Sequence, residues 1–257
     1  MIHSTAIVDP SAIIGNNVEI GPYSIVEKNV EIGDDSQLLA YAVVKQNTRM
    51  GKRNTIHEHA VIGGDPQDLS YKGDETSLLI GDDNVFRESM TVHRATNPDQ
   101  PTTIGNACFL MAYSHVAHDC QLADKVIFAN TATLAGHITV GKGAFISGST
   151  AVHQFCQVGD YAILSGVTPV SLDVLPFMIV AGNPARTVGL NLIGMKRAGF
   201  TREEISQIKQ AYKILILSEK SLDEAKAELK SIDSIHVKML LDFINNSKRG
   251  FTHHRKR

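Results

Sequence analysis

Apolar side chains recur at every sixth position over the first two thirds of the chain. Counting from Val8, 25 of the 28 positions in this frame are aliphatic, aromatic or methionine. The frame fails at Asp68, Asp74 and Pro98, and each time it returns in phase. A period of six is typical of parallel β-helices, in which three short strands make one coil of about 18 residues. The pattern therefore predicts about nine coils between residues 2 and 176.

A second set of inward positions lies two residues before the first, on the same face of each strand. Its members are mostly small, which suits a narrow tube with a packed interior: Ala12, Ser24, Ser36, Ala42, Ala60, Cys108, Ser114, Cys120, Ala132, Ala144, Cys156 and Ala162. The three cysteines are therefore expected to be small buried residues. Because they are odd in number and form no CxxC pair, we expect reduced thiols and a cytoplasmic protein.

Two stretches interrupt the frame, residues 63–79 and 94–103, and both restore its phase. We expect them to be loops that project from an intact tube, where binding residues are often found. After Pro176 the apolar period changes to that of an α-helix. The predicted organisation is a β-helical domain over residues 1–184 and a helical domain over residues 185–257.

Three helices are predicted in this second domain. Thr201–Glu204 and Ser221–Glu224 each match a capping box, in which the first hydroxyl and the last carboxylate close the start of a helix. Apolar residues follow both boxes at helical spacing. A third amphipathic helix is predicted from Ile235 to Asn246.

Composition and charge exclude some classes of protein. The chain is 43% hydrophobic and 20% charged, but no stretch has the roughly 20 apolar residues that a membrane helix needs. Its first residues do not resemble a secretory signal. Residues 1–184 carry 10 Lys/Arg and 19 Asp/Glu, whereas residues 185–257 carry 15 and 8. The positive C-terminal part indicates either an acidic partner or a solvated helical face with a basic tail. We expect no nucleic-acid partner.

Seven of the 11 histidines lie between residues 57 and 153. A single histidine on a β-helix is usually a surface residue, but residues 18 apart stack on neighbouring coils about 4.8 Å apart. That spacing places Gly136 and Gln154 in line with His118, and His137 in line with Asp119. One corner of three successive coils is thus predicted to gather His115, His118, Asp119, His137, His153 and Gln154.

Two kinds of chemistry can use this corner. A neutral imidazole can take a proton from a hydroxyl as its oxygen attacks a thioester, since the ordinary histidine pKa suits that task. The amide of Gly136 could then stabilise the oxyanion, and Asp119 could orient the imidazole. Alternatively, three histidines could hold a zinc ion with one open position, as in a γ-type carbonic anhydrase.

The corner segments resemble those of UDP-N-acetylglucosamine O-acyltransferases, which catalyse the first step of lipid A biosynthesis. The resemblance covers nearly the whole chain and rests on the segments Ser114–Cys120, Leu134–His137, Ala151–Phe155, Pro66–Leu69, Phe86–Ser89, Val92–Arg94, Gly182–Asn183 and Asn191–Phe200. It implies a left-handed parallel β-helix with a small C-terminal α-helical domain. It also implies a homotrimer with active sites in clefts between subunits, and neither a cofactor nor a metal.

The same resemblance assigns roles to individual residues. It makes His118 the catalytic base, with Asp119 beside it and the Gly136 amide as oxyanion donor. The implied substrate-binding residues are Gln67 and Asp68 for the sugar, His115, His137, His153 and Gln154 in the cleft, Gly166 as a limit on acyl length, and Asn191 and Arg197 for the nucleotide.

The implied donor is an (R)-3-hydroxyacyl chain on acyl carrier protein, an acidic partner that suits the positive C-terminal part. The implied acceptor is the 3-hydroxyl of UDP-N-acetylglucosamine. Two positions differ from the usual pattern of the family, since Ser70 stands in place of lysine and Ile193 in place of glutamate. We therefore expect UDP-N-acetylglucosamine as acceptor and keep its 3-amino analogue as the alternative.

Overall fold

The computed structural model describes residues 1–253. Over this part the chain winds into a parallel β-helix with three sheets as its faces, and the β-helix predicted from the six-residue period is confirmed. Arg255, Lys256 and Arg257, which belong to the predicted basic tail, lie outside the described residues.

The strands are mostly two residues long, and successive strands go to successive faces. The first face contains β1 (Ile7–Val8), β4 (Ile25–Val26), β7 (Val43–Val44), β10 (Val61–Gly64), β13 (Thr91–His93), β16 (His115–Val116), β19 (Thr133–Leu134), β22 (Ala151–Val152) and β25 (Pro169–Val170). The second face contains β2 (Ile13–Ile14), β5 (Glu31–Ile32), β8 (Thr48–Met50), β11 (Leu78–Ile80), β14 (Thr102–Ile104), β17 (Gln121–Leu122), β20 (Thr139–Val140) and β23 (Gln157–Val158). The third face contains β3 (Glu19–Ile20), β6 (Gln37–Leu38), β9 (Thr55–Ile56), β12 (Val85–Phe86), β15 (Phe109–Leu110), β18 (Ile127–Phe128), β21 (Phe145–Ile146), β24 (Ile163–Leu164), β26 (Met178–Ala181) and β27 (Arg186–Leu190).

The strand register explains why the two interruptions keep the phase of the repeat. His115 pairs with Thr133, 18 residues later, as residues do in uninterrupted coils. Val61 pairs with Thr91 across the first interruption, an offset of 30, and Thr91 pairs with His115 across the second, an offset of 24. Both offsets exceed 18 by a multiple of six. The extra chain therefore leaves the tube at one point and re-enters it with every inward position preserved.

Three corners join the faces, and the second residue of most corners has a positive φ. The histidine corner, between the first and second faces, contains residues 118–119, 136–137 and 154–155, with φ near 60° at Asp119, His137 and Phe155. The corner between the second and third faces contains Asp34, Asp82, Asp124 and Asp160, and we call it the aspartate corner. Non-glycine residues adopt this conformation at some cost, and here the sharp turn of the coil requires it.

The tube interior is filled by the two inward sets of residues. The large aliphatic positions and the small positions both form one continuous buried cluster. Cys108, Cys120 and Cys156 are all buried and free, as their place in the small inward set predicted. Burial raises the pKa of the Cys108 thiol to about 11, so this group is a packing residue and not a nucleophile.

The helical part contains α1 (Leu192–Arg197), α2 (Arg202–Tyr212), a π-helical turn (Lys213–Leu217), α3 (Leu222–Leu229) and α4 (Ile235–Asn246). The structure confirms all three predicted helices and both capping boxes. Two further elements were not predicted from the sequence. They are α1, which has only six residues, and the antiparallel hairpin of β26 and β27. The predicted domain boundary at residues 184/185 falls inside this hairpin.

The end of the described chain returns to the β-helix. Asp173 and Phe251 form a parallel bridge, and the buried Asp173 carboxylate accepts a hydrogen bond from the Ser247 hydroxyl (2.6 Å). Among residues 1–253, no helix is long and apolar enough to cross a membrane.

Candidate active site

His118 and Asp119 form a hydrogen-bonded pair at the histidine corner. They follow β16, and Nδ1 of His118 lies 2.6 Å from Oδ2 of Asp119. Because a carboxylate oxygen only accepts, this contact assigns a proton to Nδ1 and leaves the lone pair of the neutral imidazole on Nε2. Nε2 lies 3.9 Å from Oδ2 of Asp68. His118 is only 7% exposed. Its free nitrogen faces the loop that carries Asp68.

Asp119 is held by residues of the second interruption. Its carboxylate accepts hydrogen bonds from the Thr96 hydroxyl (2.6 Å) and the Thr96 amide (3.0 Å). Its own amide donates to the Thr102 hydroxyl (2.8 Å). Burial works to raise the pKa of Asp119, but the hydrogen bonds from Thr96 and His118 outweigh it and the pKa is lowered. Asp119 is therefore an anion that both orients the imidazole and stabilises its protonated form.

Gly136 lies directly over His118 on the next coil. A Cβ at this position would lie 2.4 Å from Cε1 of the imidazole, so only glycine allows the observed approach. The backbone aligns the two coils here, since the His137 amide donates to the His118 carbonyl (3.0 Å). Among the described residues, the Gly136 amide has no hydrogen-bond acceptor. The backbone amides of His118 and Gln154, which occupy the same turn position on neighbouring coils, have none either. It is thus available to a ligand.

His137 closes one side of this space. Its ring stacks on Phe155 (centroids 4.7 Å apart, 9° between planes) and meets His118 edge-on (5.1 Å, 87°). Its Nε2 lies 3.7 Å from Oδ2 of Asp119. The stacking predicted from the 18-residue spacing is therefore confirmed for His118, Asp119, Gly136 and His137.

His115 is the first residue of β16, three residues before His118, and it packs against the preceding coil. Its Nδ1 is 2.7 Å from the Thr91 hydroxyl, and its ring contacts His93 edge-on (4.7 Å). Burial, and then the nearby His118, lower the pKa of His115. His93 is more deeply buried, and burial with its histidine neighbours lowers its pKa to about 4. Both rings are thus neutral near pH 7 and do not repel a proton that arrives at His118.

The first interruption brings Gln67 and Asp68 to the histidine corner. Asp68 accepts a hydrogen bond from the Ser70 amide (2.8 Å), and bonds from Ser70 lower the pKa of Asp68. Gln67 and Leu69, on either side, are exposed. The backbone amide of Ser70 therefore holds the carboxylate that faces His118, and this contact does not depend on the departure from lysine at that position.

His153 and Gln154 lie on the coil after Gly136 and are both exposed. The Phe155 amide donates to the Gly136 carbonyl (3.2 Å), which fixes this coil over the previous one. Nδ1 of His153 lies 3.2 Å from the carbonyl of Gln154 and not against the His118–Asp119 pair. The two residues thus form the open upper edge of the corner.

Three of the predicted substrate-binding residues lie elsewhere on the chain, namely Gly166, Asn191 and Arg197. Gly166 is exposed at the corner between the third and first faces. Asn191 caps α1: its Oδ1 accepts from the Gly194 amide (2.8 Å) and its Nδ2 donates to the Tyr161 carbonyl (2.7 Å). Asn191 and the exposed Arg197 line a groove of about 660 Å³ on the third face, which is the side of the tube opposite the histidine corner.

Within residues 1–253, two groups of side chains could hold a metal ion. Asp68, His118 and His137 offer ligand atoms that all lie within 4.8 Å of one another. This set has two histidines and a carboxylate, whereas the predicted zinc alternative needs three histidines. The second group is His57, Glu58 and Glu88, but Arg87 already pairs with Glu88 at 2.7 Å.

Four residues that support this site had no predicted role: His93, Arg94, Thr96 and Thr102. Two signals pointed to them, namely the family resemblance of Val92–Arg94 and the second interruption, which begins at Arg94 and includes both threonines. The spacing rule applies to coils and gives no partner for a residue in an irregular loop.

The fold and this corner define a hexapeptide-repeat transferase: residues 101–136 match the family of bacterial transferase hexapeptide repeats. Residues 173–252 match the second domain of UDP-N-acetylglucosamine O-acyltransferase. The acyl-[acyl-carrier-protein]–UDP-N-acetylglucosamine O-acyltransferase of Herminiimonas arsenicoxydans is 45% identical over 97% of this chain and 98% of its own length. That of Anaeromyxobacter dehalogenans is 48% identical over 98% and 99%. The chain belongs to the acyl-[acyl-carrier-protein]–UDP-N-acetylglucosamine O-acyltransferase family.

Solved structures agree with this assignment. The UDP-N-acetylglucosamine acyltransferase of Bacteroides fragilis superposes with a TM-score of 0.96 at 38% identity, covering 98% of this chain and all of its own. The protein of Acinetobacter baumannii gives 0.94 at 39% identity, covering 98% and 99%. The left-handed winding implied by the resemblance is thereby confirmed.

Proposed function

We propose that this chain transfers an (R)-3-hydroxyacyl group from acyl carrier protein to the 3-hydroxyl of UDP-N-acetylglucosamine, with His118 as general base. The observation that carries the proposal is the arrangement around one imidazole. Nδ1 is bonded to an anionic Asp119, Nε2 is free, and Gly136 lies directly over the ring. This reaction is the first step of lipid A biosynthesis.

The proposed chemistry is one acyl transfer through a tetrahedral intermediate. Nε2 of His118 takes the proton of the sugar hydroxyl as its oxygen attacks the thioester carbonyl carbon. The carbonyl oxygen becomes an anion, and the Gly136 amide donates a hydrogen bond to it. When the intermediate collapses, the carbon–sulfur bond breaks and the His118 proton passes to the departing thiolate. Asp119 stabilises the imidazolium between the two transfers.

The acceptor is held by the loop over the corner in this proposal. Asp68 is an anion close to Nε2, where it can accept a hydrogen bond from a second sugar hydroxyl or amide. Gln67 is exposed beside it and can donate to the sugar. Both residues thus orient the attacking hydroxyl toward His118.

The proposed homotrimer is supported by the division of the proposed substrate-binding residues between two sides of one chain, which favours a site between subunits. The histidine corner carries the base and the sugar site, while Arg197 and its groove lie on the opposite face. One substrate can contact both only if a neighbouring subunit brings its third face to the histidine corner. Gly166 would then border the acyl chain, and the Arg197 guanidinium would meet the diphosphate. Because both ends of the Asn191 amide are already bonded, its role there would be to place α1 and its own backbone.

The proposal is tested by turnover with purified chain and acyl carrier proteins of graded chain length. UDP-N-acetylglucosamine and its 3-amino analogue are compared side by side as acceptors. We expect ester formation with the hydroxyl sugar, at a molecular mass of three chains. A strong preference for the amine would instead assign an N-acyltransferase, and a monomeric active species would remove the intersubunit cleft.

The cluster of Asp68, His118 and His137 keeps a metal-dependent hydratase as the second candidate. Metal analysis and chelation separate the two functions. The acyltransferase predicts unchanged turnover after chelation, and it predicts inhibition by added zinc because the metal would occupy Nε2. Stoichiometric zinc with loss of activity on chelation would favour the hydratase.

The predicted cytoplasmic location is part of the same proposal. It rests on three buried, free thiols and on a partner, acyl carrier protein, that would meet the enzyme there.

A further inference from the structure

Arg94 is among the largest fully buried side chains of the described chain, with 1% of its surface exposed. It follows β13 and opens the second interruption of the β-helix. Burying a guanidinium is costly, because the ion loses its water and is compensated only by good hydrogen bonds. A side chain of this kind in a fold otherwise filled by aliphatic residues calls for a specific explanation.

The contacts of Arg94 all go to the first interruption. Its guanidinium donates to the Gly63 carbonyl (2.8 Å), to the Asp65 carboxylate (2.5 Å) and to the Tyr71 hydroxyl (3.3 Å). Its backbone amide donates to the Gly64 carbonyl (2.9 Å). One side chain thus joins the two loops that the sequence presents as separate insertions.

These contacts bracket the residues that face His118. Gly63 and Asp65 come before Gln67 and Asp68, and Tyr71 comes after them. Between β10 and β11, the loop forms no strand, and Tyr71 is fixed further by its hydroxyl bond to the Asp74 carbonyl (2.9 Å). The position of the Asp68 carboxylate, 3.9 Å from Nε2 of His118, therefore depends on the Arg94 anchor.

The surroundings indicate an anchor and not a source of charge for the substrate. The Asp65 carboxylate that neutralises Arg94 is 66% exposed, while the guanidinium itself is sealed off. His93 packs beside the anchor, since a Cβ at Gly64 would lie 3.1 Å from its Cδ2. Arg94 thus has no open path to the substrate and acts through the loop.

We propose that Arg94 is a positioning residue that fixes the acceptor-binding loop, residues 63–71, so that Asp68 and Gln67 present the sugar to His118. The inference rests on the proposed function and deepens it, because it assigns acceptor affinity to a buried residue outside the site. The second interruption then acts on both sides of the imidazole, through Arg94 on the acceptor loop and through Thr96 on Asp119.

The test is a separation of kinetic constants in Arg94→Met and Arg94→Lys. Methionine keeps much of the volume and loses every donor, and lysine keeps the charge but lacks the planar fork that reaches three acceptors. We expect Arg94→Met to raise KM for the nucleotide sugar between about 10- and 100-fold, since displacement of a binding group by about 1 Å has effects of this size. KM for the acyl carrier protein donor should change less than about twofold. Lysine should give an intermediate value.

Arg49→Met is the matched control, because Arg49 is exposed, pairs with Glu31 on the second face, and makes no hydrogen bond or ion pair with residues 63–71. It should leave both KM values unchanged. Amide hydrogen exchange over residues 63–71 provides a readout that needs no turnover, and exchange there should become faster in both Arg94 variants and stay unchanged in Arg49→Met.

The outcomes separate the inference from the proposed function. If the wild-type chain transfers no acyl group, the function fails, and hydrogen exchange still reports whether Arg94 fixes the loop. If the wild type is active and Arg94→Lys keeps both its acceptor KM and wild-type exchange rates, the positioning role is overturned. A loss of kcat with no change in the KM for either substrate would overturn it as well.

Discussion

The histidine corner and the aspartate corner have the same backbone geometry, but their polar side chains make different bonds. At the aspartate corner each side chain bonds to the coil before it: the Asn16 amide donates to Asp34 (2.9 Å), the Asn106 amide to Asp124 (2.8 Å) and the Lys142 amide to Asp160 (2.9 Å). At the histidine corner the side chains bond to one another and to the two loops, and Nε2 of His118 stays free. At the aspartate corner the repeated bonds from side-chain oxygen to backbone amide indicate a structural role. At the histidine corner the unbonded Nε2 of His118 indicates a functional site.

The largest expected difference between the two corners is in the effect of removing one side chain from each. His118→Ala should lower kcat by about 10²–10⁴-fold, as expected for loss of a positioned base, with little change in Tm. Asp124→Ala should lower Tm and leave kcat unchanged, because the Asn106 amide loses its acceptor and the histidine corner is not altered. We expect its Tm to fall by a few degrees, on the order of the 2–4 °C per kcal/mol for a chain of this size.

Turnover and thermal unfolding of both variants measure this contrast. Near-wild-type kcat in His118→Ala, with the oligomer intact, would remove this residue from the mechanism. A large loss of kcat in Asp124→Ala would show that the aspartate corner is more than structural.

The next largest effect is expected for Gly136→Ala, which places a methyl group 2.4 Å from Cε1 of His118. The imidazole must move, so its bond to Asp119 and its placement beside the Gly136 amide are both disturbed. We expect kcat to fall by about 10²–10³-fold, comparable to the loss of an oxyanion donor. Gly148→Ala is the matched control at another corner, where the new carbon meets its nearest atom at 3.3 Å. Equal kcat values for the two variants would mean that the close approach at Gly136 serves packing only.

The difference between the corners also shows how far the sequence could predict the site. The 18-residue spacing alone aligns His118, Gly136, Asp119 and His137, because a coil of fixed length makes sequence distance equivalent to spatial distance. Asp68 came from family resemblance, and the anchoring of its loop by Arg94 was not predicted from the sequence, nor was the support of Asp119 by Thr96. Those contacts join two irregular loops, and no period relates residue 94 to residue 63. Similarly, the capping boxes predicted α2 and α3, whereas the six residues of α1 are too few to show a period.

A smaller effect is expected for Thr96→Val, which removes the hydroxyl bond to Asp119 and keeps the backbone one. Hydrogen bonding to the anion lowers the pKa of Asp119, so its loss should raise that pKa. The carboxylate would then protonate at a higher pH and release the imidazole earlier on acidification. We expect the Asp119 carboxyl to titrate at a higher pH in NMR spectra of Thr96→Val than in wild type, and kcat at pH 7.5 to fall by about two- to fivefold because the imidazole is oriented less firmly. Thr103→Val, which loses a bond to Gln121 on the second face, is the control. An unshifted titration of Asp119 would mean that the Thr96 hydroxyl does not set the pKa of this carboxylate.

The smallest effect concerns the pH dependence of stability, where the two corners should again differ. Burial lowers the pKa of His93 to about 4, below its value near 6.5 in the unfolded chain. Between these values the unfolded state binds more protons, so the contribution of His93 to stability is present above pH 6.5 and is lost as the pH falls toward 4. We expect about 1 kcal/mol less stability from this group at pH 5.5 than at pH 7.5. Asp124 has a lowered pKa, so its contribution is lost only under more acidic conditions, as the pH falls below the ordinary carboxyl range. His93→Asn should therefore flatten the fall in unfolding free energy between pH 7.5 and 5.5, while Asp124→Asn should leave it unchanged. An identical slope in wild type and His93→Asn would show that the buried histidine contributes nothing to the acid sensitivity of the fold.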